Sequence, residues 1–192
     1  MITEPAIKRA TCFFDGQNLF HCAKEAFEIT WPSFDPIKLS MKICQLNRWE
    51  LKGVKFYTGI PSLEENKHWH QFWTAKLAHM GRSGIHAFSR PIRNGREKGI
   101  DIRIALDMVR LARQGSYDVA VIFSQDQDLT EAVQEIKEQA GVSGRWIKLV
   151  SAFPKSSLSK NKRGINKTDW FPFDSMFYDE CLDPKDYRQI KQ

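Results

Sequence analysis

The sequence predicts an α/β fold: a three-layer α/β/α sandwich around a central parallel sheet, for which the strand order 3-2-1-4-5 is supposed. Three observations carry the fold class. Val119 to Phe123 is an unbroken apolar run with no alternation, which reads as a strand buried on both faces. The residues after it switch to helical spacing, with Leu129, Ala132, Val133, Ile136 and Ala140 on one face and Gly141 closing the helix. Strand-like and helix-like segments alternate along the rest of the chain, as a parallel sheet with right-handed crossovers requires.

In order, Ala10 to Asp15 is strand 1, and Asn18 through Phe27 is a short helix. Thr30 to Pro36 is a loop that ends in Asp35-Pro36, a capping carboxylate followed by proline at the first helical position. Leu39, Ile43 and Leu46 then give a helix one apolar face, and Lys52-Gly53 is expected to break it. Val54 to Thr58 alternates and reads as strand 2. Ser62 to Glu65 is a capping box for the next helix, whose buried stripe is Trp69, Trp73, Leu77 and Met80, ended by Gly81. Ile85 to Ser89 is strand 3.

Ser89 to Lys98 forms a basic loop. The helix from about Ile100 to Gln114 buries Ile104, Met108, Leu111 and Ala112. Tyr117 to Phe123 contains strand 4, and Arg145 to Ser151 is strand 5. Pro154 to Lys167 is polar and basic with neither period, and reads as a flexible surface loop. Trp170 to Phe173 is too aromatic for a free tail and is expected to pack as an edge strand. Asp183 to Tyr187 is expected to open a last short helix. The organisation expected is one domain over 1–153, with 154–192 a basic loop and C-terminal extension packed on it.

The 192 residues suit one domain of ordinary size, and no apolar run approaches the ~20 residues of a membrane span. The start of the chain has no apolar signal core, so a cytoplasmic location and no membrane partner are expected. The four cysteines are scattered without a CxxC pair, which argues against a zinc site or disulfide framework. A net charge of +6 is compatible with nucleic acid without requiring it.

Strand 1 ends at Asp15, and strand 4 is followed by Asp126 and Asp128. In the order 3-2-1-4-5 these strands are neighbours, and the chain reverses between them; that switch point is where open α/β sheets bind ligands. The helix opening at Asp101 starts at the same edge. Carboxylates brought together need a cation or a shared proton, and carboxylates with few other ligands suit Mg²⁺ or Mn²⁺. Such ions can activate water and steady the leaving oxygen of a phosphodiester. Arg90, Arg93, Arg96, Lys98 and Arg103 stand ready to meet a charged substrate.

Three motifs, Phe14 to Leu19, Lys98 to Asp101 with Asp107, and Ser124 to Leu129, together resemble the NYN domain, a LabA-like branch of the PIN-like nuclease superfamily. The resemblance spans Cys12 to about Ser151. It implies a PIN-like, Rossmann-like fold and a metal-dependent endoribonuclease. Asp15, Asp101, Asp126 and Asp128 would be the catalytic acids and ligands of Mg²⁺ or Mn²⁺. Asn18 would orient the first carboxylate or contact phosphate, and Ser124 would be the small polar residue before the acidic pair. Asn18, Arg93, Arg96, Lys98 and Ser124 are the substrate-binding set. Gln125 departs from the family, which usually has glycine there. The expected partner is single-stranded RNA. A homodimer is admissible, although nothing in the sequence fixes the oligomeric state.

Plainer readings stand beside these. Asp126 or Asp128 alone could be a helix cap, and Asp107 could pair with Arg103 or Arg110. Lys155 to Lys167 reads as solvated linker. The competing functions are a non-catalytic RNA- or protein-binding module and a small-molecule phosphohydrolase. The second of these usually carries Asp-x-Asp after strand 1, where this chain has Asp-Gly-Gln.

Overall fold

The computed structural model describes residues 2–92 and 98–188. Its centre is a six-stranded, wholly parallel sheet of order β3-β2-β1-β4-β5-β6. The strands are β1 (Arg9–Asp15), β2 (Glu50–Ile60), β3 (His86–Pro91), β4 (Val119–Phe123), β5 (Lys148–Pro154) and β6 (Asp169–Phe173). The helices are α1 (Gly16–Phe27), α2 (Pro36–Asn47), α3 (Lys67–Arg82), α4 (Ile100–Arg113), α5 (Thr130–Val142) and α6 (Ser175–Asp179). The expected order holds, with Trp170 to Phe173 added beyond β5 as the edge strand.

The apolar runs of β1 and β4 are explained by the two layers that cover the sheet. On one face Cys12, Phe14, Val121 and Phe123 pack with Leu19 and Ala23 of α1, Leu39 and Ile43 of α2, and Phe72 and Trp73 of α3. On the other, Phe13, Ala120 and Ile122 pack with Ile104 and Met108 of α4 and Val133 and Ile136 of α5. The Phe14 and Phe123 rings stack at 4.0 Å between centroids, which locks β1 to β4. Each fully buried ring of this kind is worth about 2–3 kcal/mol by area removed from water.

Several local expectations are corrected. Asp35 caps α2 as expected, accepting from the Ile37 and Lys38 amides, but Leu46 is exposed and Cys44 is buried in its place. The helix ends at Arg48, in the left-handed region, not at Lys52-Gly53. Those two residues belong to β2, where Lys52 is the extra residue of a bulge opposite Ala10 and Thr11. Ser62 and Glu65 do form the reciprocal bonds of a capping box. They close a turn ahead of α3, however, and the cap of α3 is Asn66. The buried stripe of α3 is Phe72, Trp73, Lys76 and Met80, so a lysine occupies a core position that the apolar pattern assigned to Leu77. The helices also run past Gly81 and Gly141.

The C-terminal segment differs most. Asp174 caps α6 through the Phe177 amide at 2.9 Å, a helix the sequence did not announce. Tyr178 of α6 is fully buried beside Phe27 and Phe34. Residues 183–187 form no helix. Instead the Asp183 amide donates to the Ser33 carbonyl, and its carboxylate meets the buried Lys76 ammonium at 2.8 Å.

Candidate active site at the carboxyl edge of the sheet

Asp15 is the last residue of β1 and the cap of α1. Its Oδ1 accepts from the Asn18 amide at 3.1 Å, and its Oδ2 accepts from the Ser124 hydroxyl at 3.4 Å. Ser124 follows β4, so this bond spans the point where the chain reverses. A second bond stitches the same seam: the Gln125 amide donates to Asn18 Oδ1 at 2.9 Å. The Asp126 amide in turn donates to the Ser124 hydroxyl at 3.1 Å. Asn18 therefore orients the first carboxylate through its backbone, while its side chain fixes the turn that carries Asp126.

Asp15, Asp101 and Asp126 line one open cleft of about 640 Å³, with Gln17, Asn18, His21, Lys98 and Gly99 among the other lining residues. Three elements deliver the three acids: the end of β1, the first turn of α4 and the turn after β4. Asp101 sits where the helix dipole favours a negative charge. Gly99 begins α4 with φ +75°, a left-handed conformation that side-chain-bearing residues rarely adopt.

The electrostatics are those of crowded, desolvated acids. Burial pushes the Asp15 carboxyl up to about 6; the Asn18 amide and the Ser124 hydroxyl pull it down, while the Asp126 and Asp101 charges push it up. Two further cleft residues contribute nitrogen groups: Lys98, and His21 one turn along α1 from Asn18. Burial and then the Lys24 charge lower the His21 imidazole below its ordinary value, so it is neutral at pH 7. Sequence reading passed over His21, although its i, i+3 spacing from Asn18 and i, i+4 spacing from Gln17 put it on the same helix face.

The remaining expected residues fall as follows. Asp128 is exposed, in the one-turn 3-10 helix Gln127–Leu129, and is not among the cleft-lining residues; its amide donates to Asp126 Oδ1 at 3.0 Å. The structure thus places three of the four expected acids on the cleft and Asp128 at the helix entry beside it. Arg93 and Arg96 lie outside the described residues. Asp107 is buried and bound by the Tyr57 hydroxyl, Arg103 and Arg110, which ties α4 to β2 and leaves it no part in the cleft.

Among the described residues no three His, Cys, Asp or Glu side chains are grouped closely enough to make a ready metal shell. The donor chemistry nevertheless fits a hard divalent cation. The cleft is lined by carboxylates and, among the described residues, no cysteine, and Asp15 is raised first by burial and then by the Asp126 and Asp101 charges, which a bound cation would offset. Mg²⁺ is ordinarily held by one or two carboxylates plus waters and substrate phosphates, not by an all-protein cage.

Comparison with known proteins agrees with the fold. The NYN domain pattern matches residues 9–163. The crystal structure of a protein of unknown function from Vibrio parahaemolyticus is similar over 94% of this chain and 99% of its own, with a TM-score of 0.58 and 19% identity, a likeness of fold. No curated protein matches the chain.

Proposed function

The chain belongs to the NYN domain family, within the PIN-like nuclease superfamily, and from that premise we propose that it is a metal-dependent endoribonuclease working at the acidic cleft. The observation that supports this best is the convergence of Asp15, Asp101 and Asp126 from three separate elements on one open cleft. Mg²⁺ or Mn²⁺ bound there would polarise a phosphate oxygen and supply an activated water. Asp15, Asp101 and Asp126 would hold it.

The chain's own groups do the rest. The Asn18 amide and the Ser124 hydroxyl fix the Asp15 carboxylate in place. The same hydroxyl accepts from the Asp126 amide, so the two acids share one anchor. Lys98 at the lip meets the phosphodiester's charge, and His21, neutral in the cleft, can exchange a proton with a reacting oxygen. The open cleft admits a strand without requiring a free end, which suits internal cleavage. Single-stranded RNA is the substrate this reading assigns, as a nucleic acid that an open cleft flanked by Lys98 can admit.

The test is a time course on end-labelled single-stranded RNA in EDTA, in Mg²⁺ and in Mn²⁺. Internal cuts in either metal and none in EDTA are expected. RNA held on a gel but uncut in every condition would refute the nuclease and leave a binding module.

A further inference from the structure

The segment 155–168, which reads as a flexible linker, is fixed in place, and two glutamines that flank Asp126 do the fixing. Gln125 is 4% exposed, and its Nε2 donates to the Asn161 carbonyl at 3.3 Å and the Arg163 carbonyl at 2.8 Å. Gln127 Nε2 donates to the Gly164 carbonyl at 3.1 Å, and its Oε1 accepts from the Asn166 amide at 3.1 Å. On the other side the Lys160 amide bonds the Glu25 carboxylate, and the Ser156 hydroxyl donates to the Ala26 carbonyl at 2.7 Å, both on α1. Ile165 is fully buried. At Gly164 a Cβ would stand 2.6 Å from Trp170 Cδ1 and 2.8 Å from Ser151 Oγ, so only glycine lets the segment lie this close to β5 and β6.

What this anchoring presents is a row of cations. Lys160, Lys162 and Arg163 are exposed, and among the described residues none of their side chains pairs with a carboxylate. The Glu25 carboxylate faces the segment but is engaged by the Lys160 amide. Behind the row is Trp170, 45% exposed, its indole N–H bonded to the Ile165 carbonyl at 3.0 Å and its ring 6.0 Å from the Arg163 guanidinium. The backbone that carries these side chains is held by the two residues on either side of a cleft acid, Asp126.

We propose that residues 160–163, docked by Gln125 and Gln127 and backed by Trp170, form a phosphate-binding track for single-stranded RNA running past Asp126. Cations along the backbone with an exposed aromatic face are the elements of sequence-tolerant single-strand binding. Gln125 and Gln127 are positioning residues, since they act through the segment they hold. The inference rests on RNA being the substrate, and its test keeps the two apart.

The measurement is binding of a labelled single-stranded RNA to the full chain in EDTA, so that nothing is cut, across a range of salt concentrations. The triple variant Lys160→Ala/Lys162→Ala/Arg163→Ala removes exposed side chains only and leaves the anchoring backbone bonds intact. Losing three phosphate contacts on a single strand should reduce the slope of log affinity against log salt by about 2, and weaken binding on the order of 10–100-fold at low salt. A charge-matched control, Lys8→Ala/Arg48→Ala/Lys52→Ala, alters the opposite edge of the sheet and should leave the slope near that of the wild type. Gln125→Ala leaves the net charge unchanged yet should also lower the slope, because it frees the track from the cleft. Equal slopes and affinities for the wild type and the first triple variant would overturn the track while leaving the nuclease reading intact. A wild type that cuts RNA in Mn²⁺ yet does not bind it in EDTA would overturn the track alone, and one that neither binds nor cuts would overturn both.

Discussion

Asp183→Ala is expected to destabilise the protein by about 3–5 kcal/mol, because it strands a buried cation. The Lys76 side chain is fully buried and that of Asp183 only 8% exposed. Lys76 Nζ donates to Asp183 Oδ2 at 2.8 Å and to the Phe34 carbonyl at 2.9 Å, with the Tyr187 ring centroid at 5.0 Å. Without that carboxylate the ammonium touches only a neutral carbonyl and ring faces, with the Asp35 charge as its remaining acidic neighbour. For a chain of this length each kcal/mol lowers Tm by about 2–4 °C, so a fall of roughly 10 °C is expected. Lys76→Met should cost less, about 1–2 kcal/mol, because Asp183 lies near enough to the surface to regain water. The deficit of Asp183→Ala has a defined pH dependence. Burial already lowers the Lys76 pKa in the folded chain, and the Asp183 bond opposes that shift. In the variant the unfolded lysine therefore binds its proton more readily than the folded one. Stability then rises with pH from the depressed folded value up to the ordinary lysine value near 10. Urea unfolding followed by tryptophan fluorescence at neutral and alkaline pH measures both effects. A deficit under about 1 kcal/mol, or one that does not shrink toward alkaline pH, would refute the reasoning.

Two further outcomes follow from the same geometry. Asp118 is held by the Arg9 amide and guanidinium at 2.9–3.0 Å, and these bonds keep its pKa below the ordinary value. Its contribution is present above the unfolded aspartate value near 4 and is lost as pH falls through the lower folded value. Asp118→Asn should therefore cost about 1–2 kcal/mol at pH 7 and progressively less in acid, read by denaturant midpoints across pH. Gly99→Ala forces a side chain into φ +75° and against Arg90 at the start of α4, which should cost about 1–2 kcal/mol and displace Asp101. Thermal unfolding and RNA cleavage, measured together, should both decline.

The parts of the fold that were legible in the sequence are those with one dominant cause. β1 and β4 are covered on both faces, so their apolar runs had no other reading. The helix after β4 kept all five of its apolar positions buried. Asp15 and Asp126 were legible because a carboxylate at the end of such a run, or within three residues of it, has few places to go except the sheet's edge. What escaped depended on partners far away in sequence. Lys76 breaks an apolar stripe and is tolerated only because Asp183, 107 positions on, meets it. Gln125 looks like an obstruction to the cleft until the Arg163 carbonyl, 38 residues later, is seen to receive its amide. The separation of Asp128 from Asp126 depended on a single turn of 3-10 helix, which periodicity does not resolve.

The most direct test of the acidic cleft is RNA cleavage in Mn²⁺ by four single variants in parallel: Asp15→Asn, Asp101→Asn, Asp126→Asn and Asp128→Asn. If the cleft acids do the chemistry, the first three each lose activity on the order of 100-fold, while Asp128→Asn stays within a few-fold of the wild type. Full activity in Asp126→Asn, or an equal loss in Asp128→Asn, would contradict the account.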